Sequence, residues 1–179
     1  MRNSFSAACL LIFVVLFASC TSQRDKEVKA IENLEKSLES EAARPNPEKL
    51  SKLLDSYVAF VDKNPADTTA HLFLYKAVNL CIGVNNGSRA MQLIDRSLID
   101  FPQSRYIATT VFLKAYVYEN LLGDYGQAAT VYNDFLKKYP SHELADDAEA
   151  ALKYLGKSPE ELVKQFEAQK AASQARTGK

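Results

Sequence analysis

The sequence predicts an all-helical fold, and three observations support this prediction. Apolar residues recur at spacings of three and four from residue 25 onward, and no stretch shows the strict alternation of a strand. Glycine and proline number only six each among 179 residues, fewer than a turn-rich β fold would use. Most of them stand where one apolar stripe stops and the next begins. The length is enough for one domain with a sizeable core.

The first nineteen residues are predicted to be an export signal. Arg2 lies in a short polar start, and residues 7–18 form an unbroken apolar run that precedes a polar segment. A twelve-residue helix spans about 18 Å, whereas the hydrocarbon core of a membrane is roughly 30 Å thick. A cleaved signal is therefore favoured over a permanent transmembrane helix.

The end of this signal, Phe17-Ala18-Ser19-Cys20, resembles the lipobox of bacterial lipoproteins, with Phe17 where Leu is usual. The resemblance implies a diacylglycerol on the Cys20 sulfur, cleavage before Cys20 and acylation of the freed amine. Two or three acyl chains attach a protein stably to a membrane. Thr21, rather than Asp, implies in this family the outer membrane, with the protein facing the periplasm. The alternative is an ordinary signal cut after Ala18 or Ser19, which would leave a soluble exported protein.

Capping residues divide the mature chain into successive helices. Asn46-Pro47-Glu48 is a typical helix start, and Ser158 with Glu161 forms a capping box. Residues 20–24 are predicted to be a lipidated tether, 25–172 a helical repeat domain and 173–179 a disordered tail. The predicted helices run from about 25 to 43, 47 to 63, 69 to 82, 88 to 100, 104 to 122, 124 to 138, 141 to 155 and 159 to 172.

An internal period of 38 residues is the most informative feature. Each unit contains a helix, a short turn, a second helix and a terminating proline. One such hairpin cannot bury both of its apolar faces, so three to four hairpins are expected to stack as a solenoid. Small alanines at 77, 90, 115 and 128 would let helices approach closely, with Tyr132 and Phe135 filling the space beside them. The matched positions are 74–78 with 112–116, Ala90 with Ala128, Ile94 with Tyr132, Leu98 with Leu136, and Pro102 with Pro140.

One repeat resembles the tetratricopeptide repeat. Gly123-Asp124-Tyr125, Ala128, Tyr132 and Pro140 follow the second-helix signature of that family. The resemblance covers roughly residues 47–156, with departures: the period is 38 rather than 34, and Lys76 and Lys114 replace the first-helix Leu. The longer period and the ending at 135–140 resemble the repeat lipoproteins of outer-membrane assembly machinery.

The resemblance implies a membrane-anchored scaffold of the cell envelope that binds proteins or peptides in a groove lined by the first helices. The alternatives are an accessory component of outer-membrane protein assembly and, less favoured by the sequence, a cell-wall enzyme. The alternative for Leu74, Val78 and Phe112, here called the packing alternative, is that they are core residues packed between repeats. The implied groove residues are His71, Leu74, Val78, Thr109, Phe112, Tyr116, Glu119 and Asn120.

No residue pattern predicts catalysis, and the protein is expected to have no cofactor, no metal and no small-molecule substrate. His71 and His142 lack a second ligand at metal-binding spacing. Basic and acidic residues number 22 each, so no net field attracts nucleic acid. Cys81 is predicted to be buried packing rather than a nucleophile. Asp146, Asp147 and Glu149 are predicted to form a solvated acidic face.

Overall fold

The computed structural model describes residues 23–41, 43 and 45–177, and within them it contains eight helices and no strand. The all-helical prediction is confirmed for this part of the chain; the export signal and Cys20 lie outside it. None of the described helices is both long and apolar enough to cross a membrane. The helices are α1 (23–39), α2 (Pro47–Lys63), α3 (Ala70–Gly83), α4 (Gly87–Asp100), α5 (Ile107–Asn120), α6 (Tyr125–Lys138), α7 (Ala145–Tyr154) and α8 (Pro159–Thr177).

Several helix ends follow the local signals in the sequence. The Asn46 side chain accepts hydrogen bonds from the backbone N–H groups of Glu48 and Lys49, at 2.8 and 3.3 Å. Ser158 and Glu161 form the predicted capping box, in which each side chain accepts from the other residue's backbone N–H. Helix α8 then continues to Thr177. The segment from 173 to 177, predicted to be disordered, belongs to this helix and includes the helix formers Gln174, Ala175 and Arg176.

Two helices begin later than predicted, because each follows a hydrogen-bonded connector that also precedes α3. The connectors are residues 64–70, 101–107 and 139–145, each with proline in second place. In each, the N–H of the fourth residue donates to the carbonyl of the first, and the N–H of the seventh donates to the carbonyl of the fourth. The sequence predicts helix starts at Ser104 and Ser141, but these turns move the starts to Ile107 and Ala145.

The fourth residue of each connector adds a side-chain hydrogen bond. Asp67 Oδ1, Ser104 Oγ and His142 Nδ1 accept from the backbone N–H two residues later, at 2.7, 3.1 and 3.2 Å. The first residues, Asn64, Phe101 and Tyr139, share φ values of −129°, −130° and −132° and ψ values of 53°, 55° and 52°. The repeat is therefore present in the backbone geometry of the connectors.

The chain divides into two compact units, the first ending at Leu80 and the second beginning at Cys81. In the first unit, the Phe73 ring of α3 packs on Phe60 and Tyr57 of α2, with ring centroids 4.8 and 5.5 Å apart. These aromatic contacts hold α2 against α3. The other buried hydrophobic residues of this unit are Ile31, Leu38, Leu53, Val61, Ala70, Leu74, Ala77 and Val78.

In the second unit, α5 packs against both α4 and α6, and α6 also packs against α7. Tyr132 and Phe135 are buried beside small residues of the neighbouring helices, as the sequence predicts. Cys81 is buried, which confirms its predicted packing role. The alanines with no exposed surface in this unit are Ala90, Ala115, Ala128 and Ala148.

The period of 38 relates α4 to α6 position by position. Asn86 and Asp124 cap the two helices, each side chain accepting from the N–H three residues later, at 3.1 and 3.0 Å. Phe101 and Tyr139 end them. The buried pairs between these ends are Ala90 with Ala128, Ile94 with Tyr132, and Ser97 with Phe135.

Candidate partner-binding groove

The sequence-predicted groove residues of α3 divide between core and surface. Leu74 and Val78 have no exposed surface, so the packing alternative holds for both and neither lines an open groove. His71 is half-buried in the first turn of α3. Leu74 and Val78 are predicted groove residues for which the sequence left core packing open, and their burial agrees with core packing.

The five predicted residues of α5 belong to the second unit. The half-buried Phe112 packs edge-to-face on Tyr132 and Phe135, with centroids 5.5 and 5.7 Å away, so its ring contributes to the core. Glu119 accepts a 2.8 Å hydrogen bond from the Tyr132 hydroxyl. The remaining three residues stay a predicted contact surface: Thr109 and Tyr116 are half-buried and Asn120 is exposed.

An open groove of about 610 Å³ lies among α1, α2 and α3 of the first unit. Its floor is apolar and almost closed to solvent, since Leu38, Leu53 and Tyr57 are only 8%, 6% and 4% exposed. Polar side chains stand along its rim. The lining is completed by Glu35, Glu39, Tyr75, Lys76, Asn79 and Leu80.

Helical spacing places these residues on facing surfaces. Leu53 and Tyr57 are four residues apart on α2, so one side of that helix forms the floor. Glu35, Leu38 and Glu39 repeat the three-and-four spacing on α1. On α3, Lys76, Asn79 and Leu80 follow the same three-and-four spacing. Each helix therefore contributes one stripe, and the groove exists only once the three helices are packed.

Glu35 joins the three helices at one side of the groove. Its Oε1 accepts from the Tyr57 hydroxyl at 2.6 Å and from Lys76 Nζ at 2.8 Å. Burial raises the pKa of Tyr57, and the hydrogen bond to Glu35 raises that pKa further. Tyr57 consequently stays a neutral donor, while the charges of Glu35 and Lys76 offset each other. This cluster therefore positions α1, α2 and α3 relative to one another.

The rim that remains open to solvent presents mainly hydrogen-bond acceptors. Glu39 and Asn79 are exposed, and Glu39 has no ion-pair partner among the described residues. The Asn79 amide nitrogen donates to the Tyr75 carbonyl at 2.8 Å, which leaves the amide oxygen directed to other donors. An apolar floor with acceptors on the rim fits a segment that carries an apolar side chain beside N–H donors or a basic residue.

The second unit also has a lysine and a buried tyrosine that each contact a carboxylate, but the two side chains contact different carboxylates. Lys114, which follows Lys76 by the period, pairs with Asp95 at 2.7 Å. Tyr132 has its own carboxylate, Glu119, and burial followed by this hydrogen bond raises the pKa of Tyr132. Within the described residues, no group of three His, Cys, Asp or Glu side chains could hold a metal ion.

Sequence reasoning missed the α1–α3 groove because it depends on long-range packing. A signal was present in Lys76, a charged residue at a position that the tetratricopeptide pattern gives to Leu. Its partner Glu35 lies 41 residues earlier, and no local pattern connects them. No known family model and no curated protein matches the chain.

Proposed function

We propose that this protein is a lipoprotein of the bacterial cell envelope, anchored through Cys20, that binds a peptide segment of another protein in the α1–α3 groove. The proposal includes an outer-membrane location facing the periplasm and a tetratricopeptide-type stack of hairpins. The lipobox-like end of the export signal motivates the anchor. The three connectors of equal geometry support the stack of hairpins.

The observation that carries the binding role is the apolar floor of an otherwise polar groove. Leu38, Leu53 and Tyr57 form the bottom of an opening wide enough for a side chain, and the half-buried Tyr75 and Leu80 add apolar surface beside them. Burying one large apolar side chain there would contribute roughly 1.5–3 kcal/mol to binding. Glu39 on the rim favours a basic residue beside that anchor. The proposed ligand is thus a short segment with an apolar residue next to Lys or Arg.

Site-specific photo-crosslinking in intact cells tests the groove. A photoreactive amino acid at Asn79 lies on the rim, while the matched control at Glu32 lies on an exposed part of α1 that does not line the groove. We expect a discrete crosslinked product from position 79 only, whose captured segment contains an apolar residue beside a basic one. Identical products from both positions, or a captured segment without an apolar residue, would contradict the groove.

Fractionation tests the anchor independently. We expect Cys20→Ala to move the protein from the membrane to the soluble fraction or to block its processing, because the acylated thiol is lost. A mutant that is processed and retained like the wild type would show that Cys20 is not the anchor. The conservative Thr21→Ser variant keeps Cys20 and should stay in the membrane fraction.

A further inference from the structure

The first turn of α1 is fixed to the α2–α3 connector by Arg24. Its guanidinium donates to both carboxylate oxygens of Asp67, at 2.9 and 3.1 Å, and to the Thr69 hydroxyl at 2.8 Å. The same group lies 6.0 Å from the centroid of the Phe60 ring. A two-point Arg–carboxylate contact sets orientation as well as distance. The path of the chain at residue 24 is therefore fixed relative to the first unit.

A second contact fixes the following turn to the same place. Glu27 accepts from Lys63 Nζ at 3.0 Å and from the Asn64 amide at 3.3 Å. The start of α1 thus lies beside the end of α2. At the opposite end of α1 and α2, Lys49 forms an ion pair with Glu41. Helix α2 has 17 residues, so the two ends are about 25 Å apart.

Only a very short piece of chain separates Cys20 from this fixed point. Four residue steps from Cys20 to Arg24 cover at most about 14 Å even when fully extended. That distance is less than the length of α2. An acyl chain on Cys20 would consequently keep the start of α1 within about 14 Å of the lipid headgroups, whereas the far end of α2 is not restrained by the tether.

We infer that one end of the first unit is held against the phospholipid headgroups, and we call residues 23–26 and 64–69 the tether end. This placement rests on the lipid anchor proposed above. Because the Arg24 ion pair fixes the point at which the tether leaves the first unit, it also determines which end of the unit lies nearest the membrane. In this placement the opposite end of α1 and α2, which the tether does not restrain, points away from the membrane and is left to partners in the aqueous phase.

The charge around the tether end is balanced, so the placement does not depend on anionic lipid. We expect the same orientation on purely zwitterionic vesicles, since there is no net charge for an anionic surface to attract. The basic residues there are Arg24, Lys26, Lys29 and Lys63, and the acidic ones are Asp25, Glu27, Asp62 and Asp67.

Fluorescence quenching by headgroup-labelled lipid tests the inference on the full-length lipidated protein. A fluorophore is attached at Ala66→Cys in the tether end or at Glu48→Cys at the far end of α2, both exposed positions. Cys81 is buried and protein without an introduced cysteine gives the labelling background. On phosphatidylcholine vesicles we expect quenching of the residue-66 label to be at least twice that of the residue-48 label.

Flotation with the vesicles separates the two ways of failing. Protein that does not float contradicts the lipid anchor and, with it, this placement. Protein that floats but shows equal quenching at both positions, or more at residue 48, overturns the placement and leaves the anchor intact. A difference that appears only on anionic vesicles would also overturn it, since attraction by charge and not the tether would then set the orientation.

Variants of the ion pair test the part played by Arg24. Arg24→Gln removes the charge that holds the first turn of α1, and we expect it to reduce the quenching at residue 66 while flotation is unchanged. Lys26→Gln is the matched control, because it removes a positive charge from the same turn at an exposed site. Wild-type quenching in Arg24→Gln would show that the ion pair does not direct the tether.

Discussion

Asn85 and Gly123 have the same left-handed backbone conformation, with φ values of 57° and 67°, in the turns that follow α3 and α5. Their positions differ by the period of 38. Only glycine adopts this conformation without steric cost, so the two turns have different intrinsic stabilities. The turn after α3 holds an exposed asparagine, which tolerates this conformation better than most residues but less well than glycine.

Asn85→Gly should raise the free energy of unfolding by about 0.5–1 kcal/mol, because glycine relieves the left-handed strain. Urea unfolding measures the change. The reciprocal variant Gly123→Ala should lower the free energy by about 1 kcal/mol. An added Cβ there has no atom within 4 Å, so any loss reports the backbone alone. Stabilisation by both substitutions would contradict this explanation.

Gly87→Ala should destabilise the second unit by about 1–3 kcal/mol through overpacking. A Cβ at Gly87 would lie 2.8 Å from the Leu121 Cβ and 3.0 Å from the Leu122 Cδ2. Gly83→Ala is the matched control, because its Cβ would meet nothing within 4 Å. Thermal unfolding followed by circular dichroism should show a large loss for Gly87→Ala only; equal melting of the two variants would show that Leu121 moves aside.

Thr110→Val should stabilise the protein by about 1 kcal/mol. The Thr110 hydroxyl is buried and has no hydrogen-bond partner among the described residues, so its removal relieves a desolvation cost while the shape is kept. Thr110→Ser keeps the hydroxyl and loses the methyl group, and it should be destabilising. Denaturant titration compares the two, and a loss of stability in Thr110→Val would indicate that the hydroxyl has a partner in solution.

Asp67→Asn should change how stability depends on pH. The Arg24 guanidinium lowers the pKa of Asp67 from 3.8 to about 2. Because the folded pKa lies below the ordinary value, the stabilisation is complete above about pH 4 and is lost as the pH falls toward 2. Allowing for partial exposure, we expect Asp67→Asn to cost about 1–2 kcal/mol near neutral pH.

The difference in free energy of unfolding between Asp67→Asn and the wild type, measured by urea unfolding, should become smaller as the pH is lowered. Asparagine can still accept the Thr69 N–H, so the connector turn is kept and the measurement isolates the charge. Asp134→Asn, which affects an exposed pair with Lys137, should behave like the wild type at every pH. A difference that stays constant down to pH 2 would exclude the ion pair as its cause.

Local signals predicted the helices well, because caps and apolar spacing act within a few residues. Asn46 and Ser158 start helices where the sequence places them. The starts at Ser104 and Ser141 were misplaced because both serines lie in connectors, where Ser104 Oγ and, next to Ser141, His142 Nδ1 close a turn and do not cap a helix. Periodicity matched Leu74 and Val78 with apolar residues of the next repeat, but it could not say whether a partner or the protein itself covers these side chains.

Long-range relationships had no local signal. Arg24 and Asp67 are separated by 43 residues, and either could have been an ordinary surface charge. Equivalent positions of the 38-residue period can also differ in side-chain size. Buried Gly87 packs against Leu121, whereas its equivalent, Tyr125, lies 3.4 Å from the Cβ position of Gly156. A sequence match between repeats therefore locates equivalent backbone positions better than equivalent contacts.

The three connectors reach one geometry with Asp67, Ser104 and His142 as acceptors. A carboxylate, a hydroxyl and an imidazole can each close this turn, so the connector geometry requires a hydrogen-bond acceptor and not one residue type. Hairpins can in this way share one connector geometry although their residues differ at the position that closes the turn. The main-chain hydrogen bonds therefore show the likeness of the hairpins more clearly than the residues at this position do.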